Sequence, residues 1–182
     1  MSPKSYNISV KKPIKTLVVL VLGIVGFIFF YKKPNPPVTS FKECVAAGNP
    51  VLESYPEQCI HQGKSYTRNI GNELDLWDQI SVTMPRPGDF IGSPLVITGQ
   101  ARGTWFFEAS FPVLLVDEEG NTIVESFATA QGEWITEEFV SFYSSLEFTP
   151  SGKGKNATLI FKKANPSGKD DHDNQLEIPV IY

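Results

Sequence analysis

Few residues in this chain could do chemistry, and their spacing limits what that chemistry could be. There are two histidines, His61 and His172, and two cysteines, Cys44 and Cys59. A Ser-His-Asp device needs a histidine beside a nucleophile and a third group to orient it. No G-x-S-x-G elbow is present. Gly63-Lys64-Ser65 imitates the end of a phosphate loop, but Gln58 stands where the first glycine belongs. Asp170-Asp171-His172-Asp173 offers donors that a hard cation would accept. Four adjacent residues rarely converge on one point, and the closing glutamate of a calcium hand is missing. A solvated loop is expected there, with weak calcium binding as the alternative. Asp117, Glu118 and Glu119 are adjacent in a turn signal, so a carboxylate pair across a cleft is not indicated. Glu108 sits among Trp105, Phe106, Phe107 and Phe111 and by alternation points away from the buried face. The chain is expected to be no enzyme and to need no cofactor and no metal.

The cysteines lie 15 residues apart in a turn-rich stretch with Gly48-Asn49-Pro50 and Tyr55-Pro56. A disulfide is the simplest reading if this part of the chain faces an oxidising compartment. A loop of that size is stabilised by about 3 kcal/mol in the chain-entropy account. A metal site would need His61 and a fourth ligand, and neither count nor spacing fits. No C-x-x-C serves redox chemistry.

The elements that must hold these residues begin with a membrane question. Residues 16–31 carry no charge, and Pro13 and Pro34 bracket a longer helix over 13–33. Those 21 residues span roughly 31 Å, enough for a hydrocarbon core. A cleaved signal would need small residues after the apolar run, whereas Phe29-Phe30-Tyr31-Lys32-Lys33 is bulky and charged. An uncleaved signal anchor is therefore expected. Four lysines precede the run and two follow it, which places the N-terminus in the cytoplasm. All 20 acidic residues lie beyond position 42, and 10 of the 16 basic ones lie beyond Lys33, a net of −10 for the remainder. So acidic a segment is unsuited to nucleic acid or to anionic lipid, and its charge favours solubility.

After the anchor the sequence divides into a proline-rich linker at 34–40, a small cysteine-bearing module at 41–70, and a segment of strand signals at 78–182. Residues 1–12 form the cytoplasmic tail. From Trp105 the odd positions Phe107, Ala109, Phe111, Val113 and Leu115 are apolar, which predicts a strand with one buried face. Asp117 to Gly120 reads as the turn into a return strand over 122–129. Further alternating or apolar runs fall at 80–84, 95–98, 142–148, 157–162 and 176–180. Seven short strands with turns every 8 to 12 residues predict an all-β antiparallel two-sheet sandwich. Trp105, Phe107, Phe111, Val113, Leu115 and Trp134 are its expected core. Trp77, in a short polar joint over 69–77, would cover an edge. No amphipathic helix is expected beyond the anchor.

Residues 84–120, Trp134, residues 142–148 and residues 162–180 together resemble the immunoglobulin-like domain of bacterial spore germination proteins. The shared features are a Pro-Gly turn ahead of a Ser-Pro-Leu-x-x-x-Gly-x-Ala strand, an aromatic pair followed by Glu and Phe, and the corner Asn165-Pro166-Ser167-Gly168. The resemblance implies an Ig-like sandwich without a catalytic site, found outside the bacterial cytoplasmic membrane beside various partner domains. The expected protein is a single-pass, membrane-anchored, extracytoplasmic interaction or scaffold module, with an envelope protein or cell-wall partner. A carbohydrate or ligand sensor in the envelope is the alternative. Tyr55 and Tyr66, on a stiff presented loop, are the candidate partner contacts.

Overall fold

The computed structural model describes residues 37–149, 152 and 154–182. The expected tail and anchor lie outside the described residues, as do Pro150 and Ser151 of one expected turn. Among the described residues no helix is long and apolar enough to cross a membrane. Thr39–Tyr182 forms one compact unit.

The unit opens with a six-residue helix, α1 (Phe41–Ala46), which a helix of that length cannot sustain alone. Both ends are capped. Ser40 and Glu43 form a capping box, with Glu43 N donating to Ser40 Oγ at 3.2 Å and Ser40 N to Glu43 Oε2 at 3.1 Å. Bonds from Thr39, and then from Ser40, hold the Glu43 carboxyl below its ordinary pKa. Gly48, at φ +81°, closes the other end, with Gly48 N donating to Val45 O and Asn49 N to Cys44 O. Three short strands follow: β1 (Val51–Leu52), β2 (Gln58–His61) and β3 (Lys64–Thr67) form an antiparallel sheet in chain order. A Cys44–Cys59 disulfide ties α1 to β2 with both residues fully buried. The segment read as turn-rich thus carries a helix and a small sheet.

The remaining strands are β4 (Ile80–Met84), β5 (Leu95–Arg102), β6 (Ser110–Asp117), β7 (Thr122–Ala130), β8 (Phe139–Leu146), β9 (Asn156–Lys162) and β10 (Gln175–Ile181). They pair antiparallel in the order β10-β9-β6-β7-β8-β5-β4. The ladder is continuous, but β7 and β8 share only Thr129↔Tyr143 and Ala130↔Phe142. At that corner the sheet folds over, so β10-β9-β6-β7 faces β8-β5-β4. Phe111 of β6, Phe142 of β8 and Phe161 of β9 meet across the layers, with ring centroids 5.1 and 6.2 Å apart. Inward residues of both layers form one core, joined by Leu76 from the preceding joint. Past β4 the chain changes layers. Ile181 N donates to Asp89 O, and Ile91 N donates to Ile181 O, so the segment after β4 lies parallel to β10. This is an Ig-like sandwich.

Trp105, Phe111, Val113 and Leu115 are buried in this core, and Trp134 packs half-buried against it. Phe107 is not in the core; it is 45% exposed. The alternation counted from Trp105 fails because Gly103–Trp105 is a 3-10 turn and because a tight hairpin separates it from β6. Phe107 and Ser110 exchange both backbone hydrogen bonds, and Glu108 and Ala109 between them take φ of 49° and 60°. That reversal resets the register, so Phe106 is buried in place of Phe107. Trp77, expected to cover an edge, is 71% exposed. Within the joint Ile70, Glu73 and Leu76 are buried.

Candidate functional site

The disulfide-closed segment meets the sandwich through a charged cluster. Glu73 lies in a 3-10 turn, Glu73–Asp75, and is 7% exposed. Its carboxylate receives a two-pronged contact from Arg86, Nη1 to Oε1 at 2.7 Å and Nη2 to Oε2 at 3.2 Å. Tyr55 donates its hydroxyl hydrogen to Oε2 of the same carboxylate. Arg86 Nη2 donates to the Tyr55 oxygen at 2.7 Å, and Nη1 donates to Val82 O at 2.7 Å. A buried carboxylate without partners would be costly, so the cluster holds three separate stretches of chain together. Burial first, then the hydrogen bond to Glu73 and its charge, push the Tyr55 hydroxyl up to about 12. Burial works against the Arg86 charge, but the bonds and attraction of Glu73 more than offset it, and its pKa is raised. Tyr55 thus points its hydroxyl at Glu73 while remaining half exposed, with Arg86 5.7 Å above the ring centroid.

A second tie lies along the edge of β10 that faces away from β9. Asn72 Nδ2 donates to Gln175 O at 3.0 Å, and Glu177 N donates to Asn72 Oδ1 at 2.7 Å. One amide side chain thus replaces a neighbouring strand. Gly88 N donates to Pro179 O further along. The edge is occupied, which blocks pairing with another chain. Gly71 makes the approach possible: at φ +68°, a Cβ there would lie 1.8 Å from Glu177 O.

Between α1 and β3 on one side and β9 and β10 on the other runs a groove of about 810 Å³. Phe41, Lys42, Tyr66, Arg68, Phe90 and Asn156 are among its lining residues. Arg68 stacks 4.8 Å over the Phe41 ring and pairs with Glu57. Asn156 Nδ2 donates to Glu118 Oε1 at 2.6 Å. Phe90 is 76% exposed beside the β10 edge. Tyr66 is half-buried at the wall, with Lys64 Nζ 4.9 Å above its ring. The two tyrosines singled out by sequence are thus divided: Tyr55 in the cluster, Tyr66 in the groove. Glu73, Arg86 and Phe90 carried no spacing signal. Ser40-x-x-Glu43, a capping-box pattern, was the signal that would have placed α1.

The other polar candidates are absorbed locally. Asp117 accepts from Asn121 N at 2.7 Å, and the Asn121 side chain, then its backbone, hold the Asp117 carboxyl below its usual range. Glu108 is an exposed hairpin residue. His61 Nδ1 lies 3.1 Å from Asn49 Oδ1. Ser167 Oγ is 3.1 Å from His172 Nδ1, and Asp171 lies 3.9 Å from Nε2. That trio sits exposed on a loop, with Ser167 donating to Asn165 Oδ1 at 2.6 Å, so nothing dry or pre-aligned surrounds the hydroxyl. Among the described residues no group of three or more His, Cys, Asp or Glu is placed to hold a metal.

The profile of a family described as the immunoglobulin-like domain of bacterial spore germination matches residues 79–169. The match begins one residue before β4 and ends short of β10, and it leaves the disulfide-closed segment outside. No curated protein matches the chain. No solved structure matches it.

Proposed function

The chain belongs to the family of the immunoglobulin-like domain of bacterial spore germination, and on that premise we propose a membrane-anchored, extracytoplasmic, non-catalytic interaction module. The observation that carries this reading is the groove between the disulfide-closed segment and the sandwich. The segment is tied down by the Tyr55–Glu73–Arg86 cluster and by Asn72 before any partner arrives, which lowers the entropy lost on binding. The buried Cys44–Cys59 bridge supports a location outside the reducing cytoplasm. The apolar run at 16–31, flanked by lysines, supports an anchor with its N-terminus inside.

Two experiments test this. The full chain should remain with membranes after alkaline carbonate washing, and protease added to cells stripped of outer barriers should digest the part after Pro34. A soluble mature chain starting near Pro34 would show a cleaved signal. An affinity capture from envelope extract with residues 34–182 should lose its partner on Phe90→Ala and keep it on Glu108→Ala. A second reading, a carbohydrate or ligand sensor, is favoured by Phe41, Tyr66 and Phe90 gathered with hydroxyl and amide groups in one groove. Cell-wall glycan fragments that bind the wild type but not Phe90→Ala would select it.

A further inference from the structure

A bare sheet edge is a template for a further strand. The sandwich covers its edges. Along β10 the outward backbone groups of Gln175, Glu177, Pro179 and Ile181 are met by Asn72, Gly88, Asp89 and Ile91. Along β4, Ile80 N donates to Leu76 O, and Val82 O accepts from Arg86. Where β7 and β8 part, the Ser144 hydroxyl donates to Phe127 O at 2.9 Å and the Ser126 hydroxyl to Ser145 O at 3.3 Å. In the small sheet, β1 is only two residues long.

The outer edge of β3 is the exception. Its register with β2 runs from His61↔Lys64 to Gln58↔Thr67. The two-residue turn Gln62-Gly63, at φ of 49° and 79°, makes His61↔Lys64 a hydrogen-bonded pair. Bonded and non-bonded pairs alternate, so Cys59↔Tyr66 is bonded too. Arg68 N donates to Glu57 O at 2.8 Å in the same phase. Ser65 and Thr67, between them, therefore turn their N–H and C=O groups away from β2. Both residues are exposed, and among the described residues neither backbone finds a partner on that side. Thr67 lines the groove, so the bare edge forms part of its wall.

We propose that the groove's occupant is an extended peptide segment of the partner, added to β3 as a further strand. This rests on the groove being the site where the partner binds. Donor and acceptor groups at every second residue along an open edge match the main chain of another extended segment. Strand addition draws its affinity from such main-chain bonds and its selectivity from pockets for alternate side chains. Phe41, Val45 and Phe90 line the groove and supply apolar contacts for those side chains. Its charged lining residues are Lys42, Arg68 and Glu118. Arg68 is paired with Glu57, and Glu118 accepts from Asn156, so charge selects little. The segment is recognised by its backbone and its apolar side chains. With four residues, β3 offers an edge of roughly 14 Å, so the paired stretch is short and its binding reversible.

The test uses the full chain in detergent micelles, panned against short random linear peptides displayed on phage. In the free protein the Ser65 and Thr67 amides should exchange with solvent far faster than those of Tyr66 and Arg68. A selected peptide should slow both at least tenfold. Thr67→Pro removes one outward donor and no ladder bond, a change that an edge strand tolerates. It should keep the melting midpoint and weaken the peptide at least tenfold. If it unfolds the segment, amide exchange in the wild type decides alone. Peptides that need Phe90 but leave the Ser65 and Thr67 amides fast would keep the groove and overturn the added strand. Glycan fragments that bind where no peptide does would overturn it too. Peptides indifferent to both Phe90→Ala and Thr67→Pro would overturn the strand and the groove together.

Discussion

Replacing Arg86 by methionine keeps much of the side chain's length and removes its charge and all four of its hydrogen bonds at Glu73, Tyr55 and Val82. Glu73, 7% exposed, is then left with Tyr55 alone. Breaking a fully buried ion pair costs about 3 to 5 kcal/mol, because the orphaned charge remains desolvated. Arg86 is 42% exposed on its side chain, so water replaces part of what it supplied, and the expected loss falls to about 2 kcal/mol. Glu73→Leu should cost a similar amount on its own. The double variant should cost less than the sum, with a coupling of about 1 kcal/mol or more, since neither change then strands a charge. Urea unfolding of residues 34–182 gives these values. Limited proteolysis should cut the 41–70 segment faster in Arg86→Met while the sandwich survives. An Arg86→Met variant within about 0.5 kcal/mol of wild type, or an additive double variant, would refute the cluster as the tie between the segment and the sandwich.

Tyr55 holds its proton more tightly in the folded state, at about 12 against an ordinary value of 10.0. Its contribution is therefore complete below pH 10 and is lost as pH rises through 12, so unfolding midpoints should fall over that window in wild type and less in Tyr55→Phe. Phe111→Ala should cost about 3 to 5 kcal/mol, while the exposed Phe107→Ala should cost under about 1 kcal/mol; equal costs would return Phe107 to the core. Gly71→Ala should prevent Asn72 from reaching β10 and should lower the melting midpoint by several degrees, since the new Cβ would collide with Glu177 O.

The sandwich strands were legible where one face is buried, and period-two alternation survives in Phe142 to Leu146 and in Leu176 to Val180. The disulfide was legible from cysteine count and spacing, given the inferred compartment. What failed did so for local reasons. Alternation assumes a continuous strand, and two residues in the left-handed region at Glu108 and Ala109 reverse the chain without a glycine to announce it. The Tyr55–Glu73–Arg86 cluster joins residues 13, 18 and 31 positions apart, in loops that have no period. The groove is composite, lined by α1 and β3 together with β9 and β10, so no single stretch of sequence announces it. Trp77 was expected to cover an edge, yet it is Leu76 beside it that enters the core.

The proposed meeting place of this module and its partner is the groove beside Phe90. A photo-crosslinking amino acid at position 90, in the full chain in living cells, tests it most directly. The same probe at Glu119, in the β6–β7 turn, serves as the reference. One discrete, reproducible adduct is expected from position 90, absent from position 119 and lost when Arg86→Met loosens the segment. Equal labelling at both positions, or an adduct at 90 that persists in Arg86→Met, would contradict it.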